Sequence, residues 1–251
     1  MSSSSTRLAP QLSETALPKG RSLLAHLLHA LNQPLTGLQC SLEVSLAGPR
    51  QTEQYVSTMR DGLDLTARMR ILVEAIRELA DLPQDDLGTC HRFPLDGLLR
   101  ETAIELHPVA ESRNVQLLTA CQPALIVLAD RRFLAGVMFR FLDSALSLAG
   151  EGTELRVTAT RDSEQAVLMV SWTNGPPPEH SPFSRPELGL LIAQAGWERA
   201  GAEWERRSAT DGQLAAVQAS TIQTCTVRLP LPPSTPANLP STSATSMENA
   251  R

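Results

Sequence analysis

The stretch Leu27–Gly37 reads LLHALNQPLTG. It lies inside a longer segment, Arg21 to Leu46, in which leucines recur at helical spacing. At 100° per residue, with Leu24 as zero, Leu27, Leu28, Leu31, Leu35, Leu38 and Leu42 fall within about 60° of it. A long, narrow apolar stripe of this kind belongs to a helix packed in a bundle. His29 lies about 140° from the stripe and is expected to face solvent. Gln33, four residues on, shares that face, as does Thr36. Pro34 lacks an N–H and crowds the carbonyl of Ala30, at a cost on the order of 3 kcal/mol in a helix interior. A proline just past an exposed histidine predicts a bend beside the imidazole.

Working outward, Gly48 and Pro49 in AGPRQ break the helix, and a second one is expected from Thr52 to Leu82. It carries two stripes, Val56–Met59–Leu63 on one side and Leu65–Met69–Leu72–Ile76–Leu79 on the other. A lone hairpin cannot cover both. Either two copies form a dimeric four-helix bundle, or the second domain covers one stripe. The first 19 residues are polar and read as a disordered leader, with no signal peptide. Residues 20–82 are the hairpin and residues 83–93 a polar linker. Residues 94–231 change character: helices over 95–107, 131–148 and 188–200 alternate with β-branched runs. Strands are expected in NVQLLTA, ALIVLAD, TELRVTATR, QAVLMVSWTNG, LAAVQAS and CTVRLPL. Helices mixed with mainly hairpin-connected strands make the fold class α+β, a helical hairpin followed by an α/β sandwich. Residues 232–251 are rich in Pro, Ser and Thr and read as a disordered tail.

The composition narrows the function classes. A net charge of -5 leaves no basic footprint for nucleic acid. No stretch approaches the ~20 apolar residues that span a bilayer, so no membrane partner is expected. Cys40, Cys90, Cys121 and Cys225 form no paired motif and read as reduced, buried thiols of a cytoplasmic protein. His91, His107 and His180 have no metal-ligand spacing, so no metal of the protein's own is expected. His26, also off the stripe, reads as surface. Trp172, Trp197 and Trp204 read as packing residues.

LLHALNQPLTGLQ resembles the phosphoacceptor motif of two-component sensor histidine kinases, His-Glu-Leu-Asn-Gln-Pro-Leu followed by small and apolar residues. The order of parts fits too, and the resemblance covers about residues 20–231. It implies that His29 is the phosphorylated histidine, that Pro34 and Leu35 are the motif's Pro-Leu, and that residues 20–82 dimerise. It further implies that residues 94–231 are a sandwich of the histidine-kinase ATPase type. Several positions depart from the family. Ala30 stands where an acidic general base is usual and cannot accept a proton. FRFLDSALSLAGEGTELRV matches the helix that carries the magnesium-binding Asn, and that position is Ser144. The adenine-binding Asp falls at Thr173, with only Asn174 and Gly175 echoing the box. The phosphate-cradling Gly-x-Gly falls at Glu187-Leu188-Gly189, so only Gly189 remains, and Glu187 would bring negative charge toward phosphates. GPPPEHSPFSRP takes the place of the ATP lid.

These departures imply no bound cofactor. Three readings follow. The first is a histidine phosphotransferase exchanging phosphoryl groups with response-regulator receiver domains through His29, with an upstream kinase as a further partner. In it, Gln33 orients a water toward the partner's aspartyl phosphate. The second is a divergent but active sensor kinase. The third is a catalytically silent dimeric adaptor.

Overall fold

The computed structural model describes residues 20–82, 89–175, 184–210 and 221–232. The expected leader, nearly all of the tail, most of the lid segment and the strand expected in LAAVQAS lie outside the described residues.

Two long helices open the fold, α1 (Gly20–Leu46) and α2 (Thr52–Ala80). Gly48 and Pro49 separate them, and Arg50 closes the turn by donating to the carbonyl of Val44 at 3.1 Å. The short connection turns the helices antiparallel, and small residues let them approach. A Cβ on Gly62 would stand 3.2 Å from Leu38 Cδ1, and one on Gly37 would stand 3.8 Å from Leu65 Cδ1.

The sandwich follows. Strand β1 (His91–Pro94) pairs antiparallel with β3 (Ile126–Ala129) as a separate ribbon. The linker is therefore shorter than residues 83–93: Phe93 is buried and anchors β1, which sequence periodicity over four residues could not reveal. Helix α3 (Leu95–Ser112) outruns its expected end and passes through Pro108. Helix α4 (Arg131–Leu148) is capped by Asp130, whose carboxylate accepts from the amides of Arg132 and Phe133 at 2.9 and 3.0 Å.

The main sheet holds β2 (Gln116–Cys121), β4 (Glu154–Asp162), β5 (Gln165–Thr173), β6 (Glu203–Thr210) and β7 (Thr221–Pro230). Its order is β2-β4-β5-β7-β6, with β2 and β4 parallel and the rest antiparallel. Helix α5 (Arg185–Arg199) joins α3 and α4 in one apolar core with the sheet. Trp172, Trp197, Phe141, Leu142 and Met138 are fully buried between sheet and helices. Phe141 meets the rings of Trp197 and Trp204 edge-on, with centroids 6.4 and 4.8 Å apart. The fold is thus α+β, a helical hairpin followed by an α/β sandwich.

Helix α5 is apolar on two faces. Leu190, Ala193 and Trp197 enter the sandwich core. Leu188 and Ile192, with Leu191 and Ala195 beside them, form a second cluster with Leu23, Leu27 and Ala30 of α1 and Leu72 and Ala75 of α2. Among the described residues, no helix is long and apolar enough to cross a membrane.

Candidate functional site

His29 is exposed on α1, as the helical spacing requires, with Asn32, Gln33 and Thr36 exposed beside it. Helix α1 runs unbroken through Pro34, which is half-buried. Thr36 Oγ1 donates to the carbonyl of Asn32 at 2.9 Å, a side-chain bond inside the turn that Pro34 weakens. The leucine stripe is not buried as one unit. Leu27 and Leu31 turn inward, whereas Leu24, Leu28, Leu35 and Leu42 remain exposed. The buried edge is rotated to take in Leu23 and Ala30, because α2 and α5 both press on that side. Ala30, only 4% exposed, is therefore a packing residue as well as a position without a base.

The positions expected to hold a nucleotide are committed to internal contacts. Ser144 is buried on α4 and faces Gly189 of α5, where an added Cβ would stand 2.1 Å from Ser144 Oγ. One heptad along, a Cβ on Gly196 would stand 2.6 Å from Val137 Cγ2. The two helices are in close contact at both positions. Gly189 is thus kept by helix packing, whatever its resemblance to a phosphate loop.

Thr173 ends β5, and its carbonyl accepts from Gly150 N at 2.9 Å. Asn174 spends its side chain on the core: the indole of buried Trp172 donates to Asn174 Oδ1 at 2.9 Å. Gly175 donates to the carbonyl of Leu148 at 2.9 Å, and a Cβ there would stand 3.3 Å from Gly150 Cα.

Glu187 corrects the sequence expectation. Its carboxylate does not face a phosphate site; it accepts two bonds from the Arg206 guanidinium, at 2.7 and 3.1 Å. Arg206 also donates to Gln223, which donates to Ser208. Burial works against the charge of Arg206, and Glu187 more than offsets it, leaving its pKa raised. The sequence hid this pair because Arg206 lies in the charged run EWERRSAT, where no strand was expected.

A cavity of about 760 Å³ opens between α2, α4 and α5 and reaches Ser144 and Gly189. Glu74, Glu78 and Asp143 line it opposite Arg113, Arg140 and Arg185. Arg140 is paired to Glu78, and Arg185 reaches Glu74 at 4.0 Å. A triphosphate with magnesium needs spare positive charge and an oxygen ligand for the ion. Of the three arginines, Arg140 and Arg185 are drawn to carboxylates of α2, and Ser144, at the position of the magnesium ligand, is packed against Gly189.

The thiols depart from expectation. Only Cys225 is buried; Cys40 and Cys90 are exposed and Cys121 is half-buried. Burial pushes the Cys225 thiol up to about 12. Burial, then the negative charge of Asp96, raises Cys121. His26 is exposed, and His180 lies outside the described residues. Among the described residues, no three His, Cys, Asp or Glu side chains are grouped to hold a metal ion.

No protein-family profile matches the chain. It is 25% identical over 149 residues to the adaptive-response sensory kinase SasA of Prochlorococcus marinus (strain MIT 9313), covering 59% of this chain and 40% of that protein. It is 22% identical over 198 residues to the sensor protein IrlS of Burkholderia pseudomallei (strain K96243), covering 70% of this chain and 42% of that protein. The chain thus spans well under half the length of these curated relatives. Among solved structures, the histidine kinase ThkA in complex with the response regulator protein TrrA superposes with a TM-score of 0.51 at 18% identity, over 82% of this chain and 61% of that one. In sequence the chain is a relative of the sensor histidine kinases, and in fold it carries their core, a helical hairpin followed by a sandwich of the ATPase type.

Proposed function

We propose that the chain is a two-component signalling protein that exchanges phosphoryl groups with receiver domains through His29 and does not use ATP. One contrast carries the reading. His29 stands exposed on an open polar face, while Ser144, Asn174, Glu187 and Gly189 are taken up by the interior.

The chemistry asks little of the chain. In its neutral form, the imidazole directs a ring-nitrogen lone pair at the phosphorus of a receiver aspartyl phosphate. The N–P bond forms as the P–O bond to the aspartate breaks, the carboxylate leaves, and the other ring nitrogen releases its proton to solvent. The reverse step returns the phosphoryl group to a receiver aspartate. Charge on the transferring group is balanced by a cation held on the receiver. Gln33, one turn along on the same face, has an amide that reaches outward and orients a water for loss of the receiver's phosphoryl group. Two copies of the hairpin would present two such faces, and an upstream kinase is the source of phosphate.

A second reading, a divergent active kinase, is favoured by the sequence relation to proteins described as sensory kinases. The two separate cleanly. Incubation with labelled Mg-ATP alone should leave His29 unlabelled, and calorimetry should find no micromolar Kd for Mg-ATP. Incubation with a phosphorylated receiver should label the chain. His29→Ala should abolish that labelling while changing stability by less than about 0.5 kcal/mol, since the side chain is exposed. Label from ATP alone establishes the kinase instead; label passing through His29→Ala removes phosphotransfer and leaves the adaptor.

A further inference from the structure

We propose that the Glu187 carboxylate has two competing partners, the Arg206 guanidinium and the first turn of its own helix, so that clamping α5 to β6 leaves the start of α5 uncapped. This competition is a matter of hydrogen bonding and stands whether or not His29 exchanges phosphoryl groups.

Helix α5 opens with Ser184-Arg185-Pro186-Glu187, a serine followed three residues later by a glutamate. That is the pattern of a capping box: the serine hydroxyl accepts from the glutamate N–H, and the glutamate carboxylate accepts from the serine N–H. Ser184 has the extended backbone of a cap, with φ -64° and ψ 153°, yet its side chain makes no capping bond. Its Oγ is buried without a hydrogen-bond partner. A capping side chain bonds the N–H of the second or third helical residue. The second is Pro186, which has none, so the Glu187 amide is the donor that remains.

Glu187 is engaged elsewhere. Its carboxylate oxygens accept from Arg206 at 2.7 and 3.1 Å, and Arg206 also donates to Gln223 at 3.1 Å. The Arg206 and Glu187 side chains are only 21% and 30% exposed, so a charge left there without its partner is costly. A doubled, charge-assisted bond outweighs a single one to a backbone amide. The carboxylate therefore holds β6, and the box stays open. One carboxylate cannot serve both partners. Release of Arg206 lets Glu187 turn back to the Ser184 N–H, and the box closes as a reciprocal pair. The start of α5 is then tied to its own incoming chain instead of to the sheet.

The test uses the full chain and reads the protection factor of the Glu187 amide by hydrogen exchange, with denaturant midpoints as the measure of stability. Ser184→Ala removes a hydroxyl that bonds nothing and should lower neither. Arg206→Met should lower the midpoint, since the clamp is lost, and raise Glu187 protection about fivefold, the fold-change of one typical cap. Glu187→Gln keeps a capping oxygen and an intact Arg206 but loses the charge that wins the clamp, and it should raise protection in the same direction. Adding Ser184→Ala to either variant should return protection to the parent value. Protection that stays at the parent value in both Arg206→Met and Glu187→Gln overturns the proposal, as does a loss of protection in Ser184→Ala alone.

Discussion

Gly196 has no side chain to spare because Val137 stands where one would go, with Cγ2 at 2.6 Å and Cγ1 at 3.1 Å from an added Cβ. Valine is stiff at χ1, so it cannot swing aside. Gly196→Ala should therefore destabilise the chain by about 1–3 kcal/mol, although alanine favours helix. Denaturant midpoints check this, and Val137→Ala added to it should recover part of the loss, since the two residues share one contact. The same flush packing explains why Ser144 cannot act as a free oxygen ligand. Cys225 offers a pH test. Its thiol is buried and pushed from an ordinary 9.0 up to about 12. The folded chain holds that proton where the unfolded chain has already released it. The stabilisation is complete below about 9 and is lost as pH climbs toward about 12. Unfolding measured across that alkaline window should show a shallower decline in Cys225→Ala than in the parent chain.

Whole elements were legible where a single period dominates. Helix α4 spans Arg131–Leu148 as read from its periodicity, because Asp130 caps it and one face fills the core. Strands β4 and β5 alternate buried and exposed residues along most of their lengths, as half-buried strands do. Strand β6 was missed: Glu203, Glu205, Arg206 and Arg207 make it look like a solvated turn. Charge is common on an edge strand, and β6 is an edge of the sheet. Its inward residues, Trp204 against Phe141 and Arg206 against Glu187, become meaningful only once α4 and α5 are in place. The histidine face was legible as polar: His29, Gln33 and Thr36 lie away from the leucines and are exposed. The commitment of Asn174 and Glu187 to internal bonds was not, because each partner is remote or belongs to an unrecognised strand. The leucine stripe of α1 was legible as apolar but not as divided, since a helical wheel does not say which neighbours arrive.

Among the described residues, the hairpin leaves an apolar surface uncovered. Leu24, Leu28, Leu35 and Leu42 of α1 are exposed, as are Val56, Met59 and Leu63 of α2, with Leu35 at 51% and Leu63 at 69%. The contacts of Leu38 with Gly62, of Gly37 with Leu65 and of Ser45 with Thr58 fix the facing edges of the two helices. The exposed leucines lie about 95° round α1 from its facing edge, and the α2 trio about 120° round α2 from its own. In an antiparallel pair those senses bring both sets to one side of the hairpin. Ile71 and Ala75 of α2, which meet the α5 cluster, lie round α2 in the opposite sense. The sandwich therefore docks on the side opposite this surface and would not compete with a second hairpin for it. A second copy would match this surface by symmetry and close a four-helix bundle with the sandwiches outside. Each half-exposed leucine buried that way contributes on the order of 1 kcal/mol. Sedimentation at micromolar concentration should find a dimer. Leu35→Glu combined with Leu63→Glu puts like charges on both copies of the surface and should give a folded monomer. A parent chain that sediments as a monomer would remove the dimer and leave this surface for a partner of another kind.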